Sequence, residues 1–259
     1  MSTQIIERMA VDVDGQGEAV IFVHGLGGTS NVFTPQVLAL GSRYRTVRPD
    51  LAGSGRSPAS GPLSIAGFAD ATVRLARVLG IERAHLVGHS MGTIVCQHIA
   101  ANEPRLVRSL ALFGPLLSPP EAARQGLRER AAKARAEGMA GIAEQIVQTG
   151  TSGDSKASNP VAVALVRELL MRQDAEGYAK TCEALASAEA ADIRRIGCPT
   201  LLVTGDEDAV APPSNVRAMA EQITGARVQI LNRCGHWTTL ERAAECSAAL
   251  KEFLAGAPR

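Results

Sequence analysis

The sequence predicts an α/β protein: a mostly parallel, doubly wound sheet that carries a helical insertion. Three observations lead there. Short apolar, β-branched runs alternate with helical patterns along both ends of the chain. Their length and β-branched content suit strands buried on both faces of a parallel sheet. Between Pro115 and Arg195 the strand pattern stops and only Ala-, Arg- and Glu-rich helical pattern remains. The division expected is a core of residues 1–114 and 196–259 with a helical cap over 115–195.

Taken in order, "QIIERMAVDVDG" (4–15) holds two short extended runs and predicts an antiparallel hairpin at one sheet edge. The strands that follow are "AVIFVHG" (19–25), "YRTVRPD" (44–50), "AHLVGH" (84–89), "VRSLALFG" (107–114), "TLLVTGD" (200–206) and "ARVQILN" (226–232). Helical patterns cover 68–80, 92–104, 214–223 and 242–254. Within the insertion, "TGTSGDSKASNP" (149–160) reads as an interruption. Its place between two strands suits a lid over the strand ends, where open α/β sheets bind ligands; the alternative is decoration with no part in binding.

Composition narrows the function classes. With 259 residues and 46% hydrophobic content the chain can bury a large core, and with 3% aromatics that core must be mainly Ala, Val, Leu and Ile. The 27 basic and 26 acidic residues leave a net charge of +1, with no footprint for nucleic acid or an acidic membrane. The cluster Arg128, Arg130, Lys133 and Arg135 alternates with Glu129 and Glu137 and reads as a solvated helix face. Five scattered cysteines, none in a CxxC pair, predict reduced thiols in a cytoplasmic protein, with Cys234 set apart by standing two residues before His236. "MSTQIIERMAVDVDGQGE" has no apolar stretch of a secretory signal, and no run approaches the ~18 residues of a membrane span. The histidines and acids read as having separate roles and form no ligand cluster, so neither metal nor other cofactor is expected.

The chemistry concentrates in Gly88-His89-Ser90-Met91-Gly92, a G-x-S-x-G between a strand and a helix. A nucleophile at a sharp strand-to-helix turn needs small flanks, since side chains there would meet the strand and helix. The turn also sets Ser90 at a helix N-terminus, whose free N–H groups favour negative charge. A serine hydroxyl needs a base and an orienting acid. Of the five histidines, His85 and His98 read as structural, and His24 and His89 as candidates to shape a pocket. His236, in the loop after the last strand, is the base. "GDEDAVAPP" supplies the acid, with Asp208 chosen and Asp206 as the other candidate. "HGLGG" (24–28), after an early strand, supplies the second oxyanion donor, so the backbone N–H groups of Leu26 and Met91 are assigned to that hole.

Together "FVHGLGG", "DLAGSGRS", "GHSMG", "GDEDAVAPP" and "CGHW" resemble the α/β-hydrolase superfamily over residues 19–254. The resemblance implies the α/β-hydrolase fold, and its G-x-x-D-x-x-x-P pattern places the acid on Asp208. It makes Asp50 a structural loop residue, and a serine sets the chain apart from the aspartate-nucleophile dehalogenases and epoxide hydrolases. The segment 171–213 is similar to 3-oxoadipate enol-lactonases and carboxylesterases. "CGHW", with Trp237 as a candidate pocket residue, resembles the meta-cleavage-product hydrolases, although those typically carry asparagine where this chain has His89. The expected function is hydrolysis of small carboxylic esters or lactones through an acyl-enzyme on Ser90, with a small molecule and water as the only partners. Carbon–carbon cleavage of a ring-fission product is the alternative, and a ligand sensor with little turnover the reading from another class. Arg124, Arg128, Arg135 and Arg172 are the cations available to a substrate carboxylate, with none singled out.

Overall fold

The computed structural model describes residues 2–257; residues 1, 258 and 259, at the ends of the expected core, lie outside the described residues. The chain opens with an antiparallel hairpin, β1 (Ser2–Ile6) and β2 (Met9–Asp14). There follow β3 (Glu18–Val23), α1 (Thr34–Leu40), β4 (Tyr44–Pro49), α2 (Ile65–Val78), β5 (Ala84–His89), α3 (Met91–Asn102) and β6 (Val107–Phe113). Five helices come next: α4 (Glu121–Glu137), α5 (Ala140–Gly150), α6 (Gly153–Ser158), α7 (Pro160–Met171) and α8 (Ala175–Ala186). The chain closes with β7 (Thr200–Gly205), α9 (Pro213–Ala220), β8 (Arg227–Leu231), α10 (Thr238–Glu241) and α11 (Ala243–Ala255).

All eight strands form one sheet in the order β1-β2-β4-β3-β5-β6-β7-β8. The hairpin joins antiparallel through β2 and β4, and every other pairing is parallel. All six residues of β5 are buried, as a central strand covered by helices on both faces requires. Each fully buried Val or Leu there contributes roughly 1.5–3 kcal/mol. The topology also locates a cleft. From β3 the chain steps outward to β4, then returns to β5 on the other side of β3, so the connections after β3 and β5 diverge at their carboxyl ends.

Helix boundaries follow local caps. α2 begins at Ile65, earlier than the apolar pattern suggested, because the Ser64 side chain accepts the Gly67 N–H. The interruption expected at 149–160 contains a helix: Ser152 caps α6 by accepting from Ser155 N–H, and Asn159 caps α7 ahead of Pro160. The insertion packs on the loops of the β3–β5 cleft. A Cβ on Gly27 would lie 2.4 Å from Leu170 of α7, and one on Gly177 would lie 2.5 Å from the Gly53 carbonyl. Gln173 binds this surface too, donating to the Gly27 carbonyl (3.2 Å) and accepting from Gly55 N–H (3.3 Å). Arg135 is no bare solvated group, since it clasps Glu176 and Glu183 across α4 and α8. No helix among the described residues is long and apolar enough to cross a membrane.

Candidate active site

Ser90 sits between β5 and α3 with φ 53° and ψ −123°, a left-handed conformation costly for a residue with a Cβ. The turn is pinned from several sides. Ser90 N–H donates to the Phe113 carbonyl (2.9 Å), and the Ser90 carbonyl accepts from Thr93 N–H (2.8 Å) and Thr93 Oγ1 (2.6 Å). Its glycines are needed for close approach: a Cβ on Gly92 would lie 2.0 Å from the Val23 carbonyl, and one on Gly88 2.8 Å from the Gly92 carbonyl. The Ser90 hydroxyl makes no cap bond to the helix it precedes.

Ser90 Oγ–H donates to His236 Nε2 at 2.8 Å. On the other side of the ring, Nδ1–H donates to Asp208, 2.9 Å from Oδ2 and 3.1 Å from Oδ1. Asp208 is itself held by the N–H groups of Val210 and Ala211 on Oδ1, each 2.8 Å away. Burial opposes its charge, but the His236 ring and these donors outweigh that and hold its carboxyl down at about 2. Burial likewise pushes the His236 imidazole down, and the Asp208 carboxylate overcomes it, leaving its proton affinity raised. Asp206 is turned elsewhere, its Oδ1 accepting from Cys234 N–H at 3.1 Å.

The loop after β3 lies directly over the serine. A Cβ on Gly25 would stand 2.7 Å from Ser90 Cβ and 3.3 Å from Oγ, which sets the Gly25–Leu26 peptide beside the hydroxyl. Met91 is the first residue of α3, so its N–H has no intrahelical carbonyl to bond. Behind this loop, Asp50 accepts from Ser30 N–H (2.7 Å) and from Arg56 Nε (2.8 Å), and Arg56 also binds Asp12. Asp50 is therefore structural here, with Arg56 as its cation.

Two expected pocket residues need correction. His24 is fully buried with both ring nitrogens committed: Nδ1–H donates to the Gly25 carbonyl (2.8 Å) and Nε2 accepts from Leu51 N–H (2.9 Å). It braces the loop and offers nothing to a ligand. His89 is buried beneath the base, its Nε2–H donating to the His236 carbonyl at 2.9 Å. Burial, and then the neighbouring His236 charge, push its imidazole down to about 3, so it stays neutral. Trp237 is buried as well, its ring 5.4 Å from that of His89.

Arg124, a candidate for a substrate carboxylate, is spent on the carbonyls of Pro119, Ala186 and Ala188. The Cys234 thiol is buried and pushed up by that burial, so it is not a nucleophile. No cluster of His, Cys, Asp or Glu among the described residues could hold a metal ion. One buried carboxylate escaped the sequence reading. Glu241 accepts from three backbone N–H groups around the histidine loop, and only its place five residues after His236 at a helix end hinted at it.

A family model described as the alpha/beta hydrolase fold matches residues 18–243. Among characterised proteins, the chain is 30% identical over 247 residues to a pyrrolizixenacetamide deacetylase of Xenorhabdus hominickii, covering 93% of this chain and 92% of that one. Among solved structures, the enol-lactonase of Burkholderia xenovorans LB400 superposes with a TM-score of 0.91 at 29% identity, covering 98% of this chain and all of the other. A thermophilic esterase from Thermogutta terrifontis gives a TM-score of 0.90 at 26% identity, covering 95% of this chain and 93% of that one.

Proposed function

The chain belongs to the alpha/beta hydrolase fold family, and from that premise we propose that it is a serine hydrolase of small carboxylic esters or lactones. The observation that carries this is the chain of contacts from Ser90 through His236 to Asp208, 2.8 and 2.9 Å long. Ser90 Oγ attacks the carbonyl carbon while its proton passes to His236 Nε2. Asp208 holds the ring in the tautomer that presents a lone pair and stabilises the imidazolium without taking the proton. The oxyanion forms against the N–H groups of Leu26 and Met91, and losing one such donor costs ~3–4 kcal/mol of transition-state stabilisation. His236 then protonates the departing alkoxide. Water, deprotonated by the same ring, releases the acid and restores Ser90.

Residues 115–195 act in this reading as a cap that sets acyl and alcohol preference. The same steps open an acetamide, with His236 protonating a leaving amine; the deacetylase relative favours that second reading. Hydrolysis of p-nitrophenyl acetate and butyrate, an aryl acetamide and a ring-fission diketone acid, by the wild type and by Ser90→Ala, tests the assignment. Ester turnover that vanishes in the variant supports it. Equal rates in the two proteins sink it, and preferential action on the diketone acid moves the chain to carbon–carbon cleavage.

A further inference from the structure

Residues 235–237, which carry the base, lie outside the strand ladders, so other groups must hold their three consecutive amides. Two go to one buried carboxylate. Glu241 Oε2 accepts from Gly235 N–H at 3.1 Å and Oε1 from Trp237 N–H at 3.1 Å. The amide between them, His236 N–H, donates to the carbonyl of Gly150, the last residue of α5. Glu241 reaches the insertion as well, Oε2 accepting from Ser152 N–H at 2.7 Å. The fit is close, since a Cβ on Gly235 would lie 2.8 Å from both the Gly150 carbonyl and Ser152 N, and 2.9 Å from Glu241 Oε1. A carboxylate suits the task because both its oxygens only accept. An amide of the same shape turns an NH₂ toward at least one donor.

We propose that Glu241 is a positioning residue that ties the joint between α5 and α6 to the catalytic loop, so that His236 is in register with Ser90 only while that joint is docked. The proposal rests on the reading of Ser90, His236 and Asp208 given above. Besides geometry, the Glu241 charge adds to that of Asp208 in favouring the protonated His236 ring. The other titratable ring in contact with His236 is His89, which stays neutral.

The test is Glu241→Gln, followed by kcat and KM on p-nitrophenyl acetate, the pH profile of kcat/KM, and thermal melting. The expected result is a folded protein whose kcat falls on the order of 10- to 100-fold, the scale of a small misplacement of a catalytic group. KM changes far less, and the acidic limb of the profile moves to lower pH as the charge is lost. Wild-type kcat with an unmoved limb overturns the proposal, as does a loss of activity that only tracks loss of folded protein. If the variant does not fold, the Ser152 amide is removed instead. Ser152 has φ −67° and follows an extended Thr151, so Ser152→Pro suits the backbone while deleting the N–H. Ser152→Ala is its reference, because both variants lose the side-chain cap of α6. A kcat lower in the proline than in the alanine variant supports the proposal, and equal values overturn it. A fluorophosphonate that fails to label Ser90 of the wild type instead defeats the underlying site reading, whatever the variants do.

Discussion

Two serine–histidine–carboxylate sets stand at opposite ends of β5, and the proposed function uses only one of them. At its carboxyl end are Ser90, His236 and Asp208. Near its amino end, His85 Nδ1 lies 2.7 Å from Ser109 Oγ on β6, and His85 Nε2 lies 3.5 Å from Glu18 Oε2. The side-chain chemistry is almost the same. The backbone is not: Ser109 lies within a strand with no solvent access, whereas Ser90 occupies a positive-φ elbow at a helix start. The carboxylates differ too. Glu18 is 40% exposed and Asp208 is wholly enclosed, so burial lowers the proton affinity of His85 while Asp208 raises that of His236. Proximity of three groups does not by itself make a nucleophile; the proposed function rests also on the elbow, the oxyanion donors and the enclosed acid around Ser90.

Substitution at the two serines should separate the sets most widely. Ser90→Ala is expected to lower kcat on p-nitrophenyl acetate by on the order of 10⁴- to 10⁶-fold. Ser109→Ala should leave kcat near wild type and cost stability alone, about 1–3 kcal/mol for a buried ring nitrogen left unpaired, read by urea unfolding. A comparable loss of activity at both serines would break the comparison. The acids come next. Asp208→Asn should lower kcat by about 10⁴-fold by presenting the wrong tautomer, and Glu18→Gln should leave it unchanged.

Proton linkage gives smaller effects of opposite sign. His236 must be neutral to accept a proton, so kcat/KM should rise with pH through a midpoint above the ordinary histidine value of 6.5. Its raised affinity adds stability that is fully present below pH 6.5 and is lost as pH rises through the folded value. His85 has a lowered affinity, so its contribution is present above pH 6.5 and is lost as pH falls toward the folded value. Urea titrations of wild type and His85→Asn across pH 5–8 read the smaller of these slopes; the variant should lose less stability on acidification. An acidic limb of kcat/KM below 6.5 would contradict the account of His236.

Much of this is legible in the sequence, because the relevant rules are local. Gly88 and Gly92 flank Ser90 for a steric reason that a five-residue string displays, and the alternation of buried strands with helices fixes where loops emerge. Asp208 is chosen over Asp206 on a motif pattern alone, and the physical reason needed the fold, since the donor that occupies Asp206 is the amide of Cys234, 28 positions on. His24 was misread for the same reason: a ring after a strand looks available until Leu51 N–H is found on its second nitrogen. Glu241 was missed because its acceptor role depends on Ser152, 89 positions away, while in sequence it is an ordinary acid at a helix end. Residues whose roles are set by neighbours in the chain can be read early; residues that brace one segment against another cannot.

Ser90 as a nucleophile activated by His236 is tested most directly by labelling with a fluorophosphonate and mapping the adduct by mass spectrometry across pH. One adduct per chain is expected, on the peptide containing Ser90, formed faster as pH rises through the His236 midpoint and absent from Ser90→Ala. An adduct on any other residue, or one that forms equally in Ser90→Ala, would contradict it.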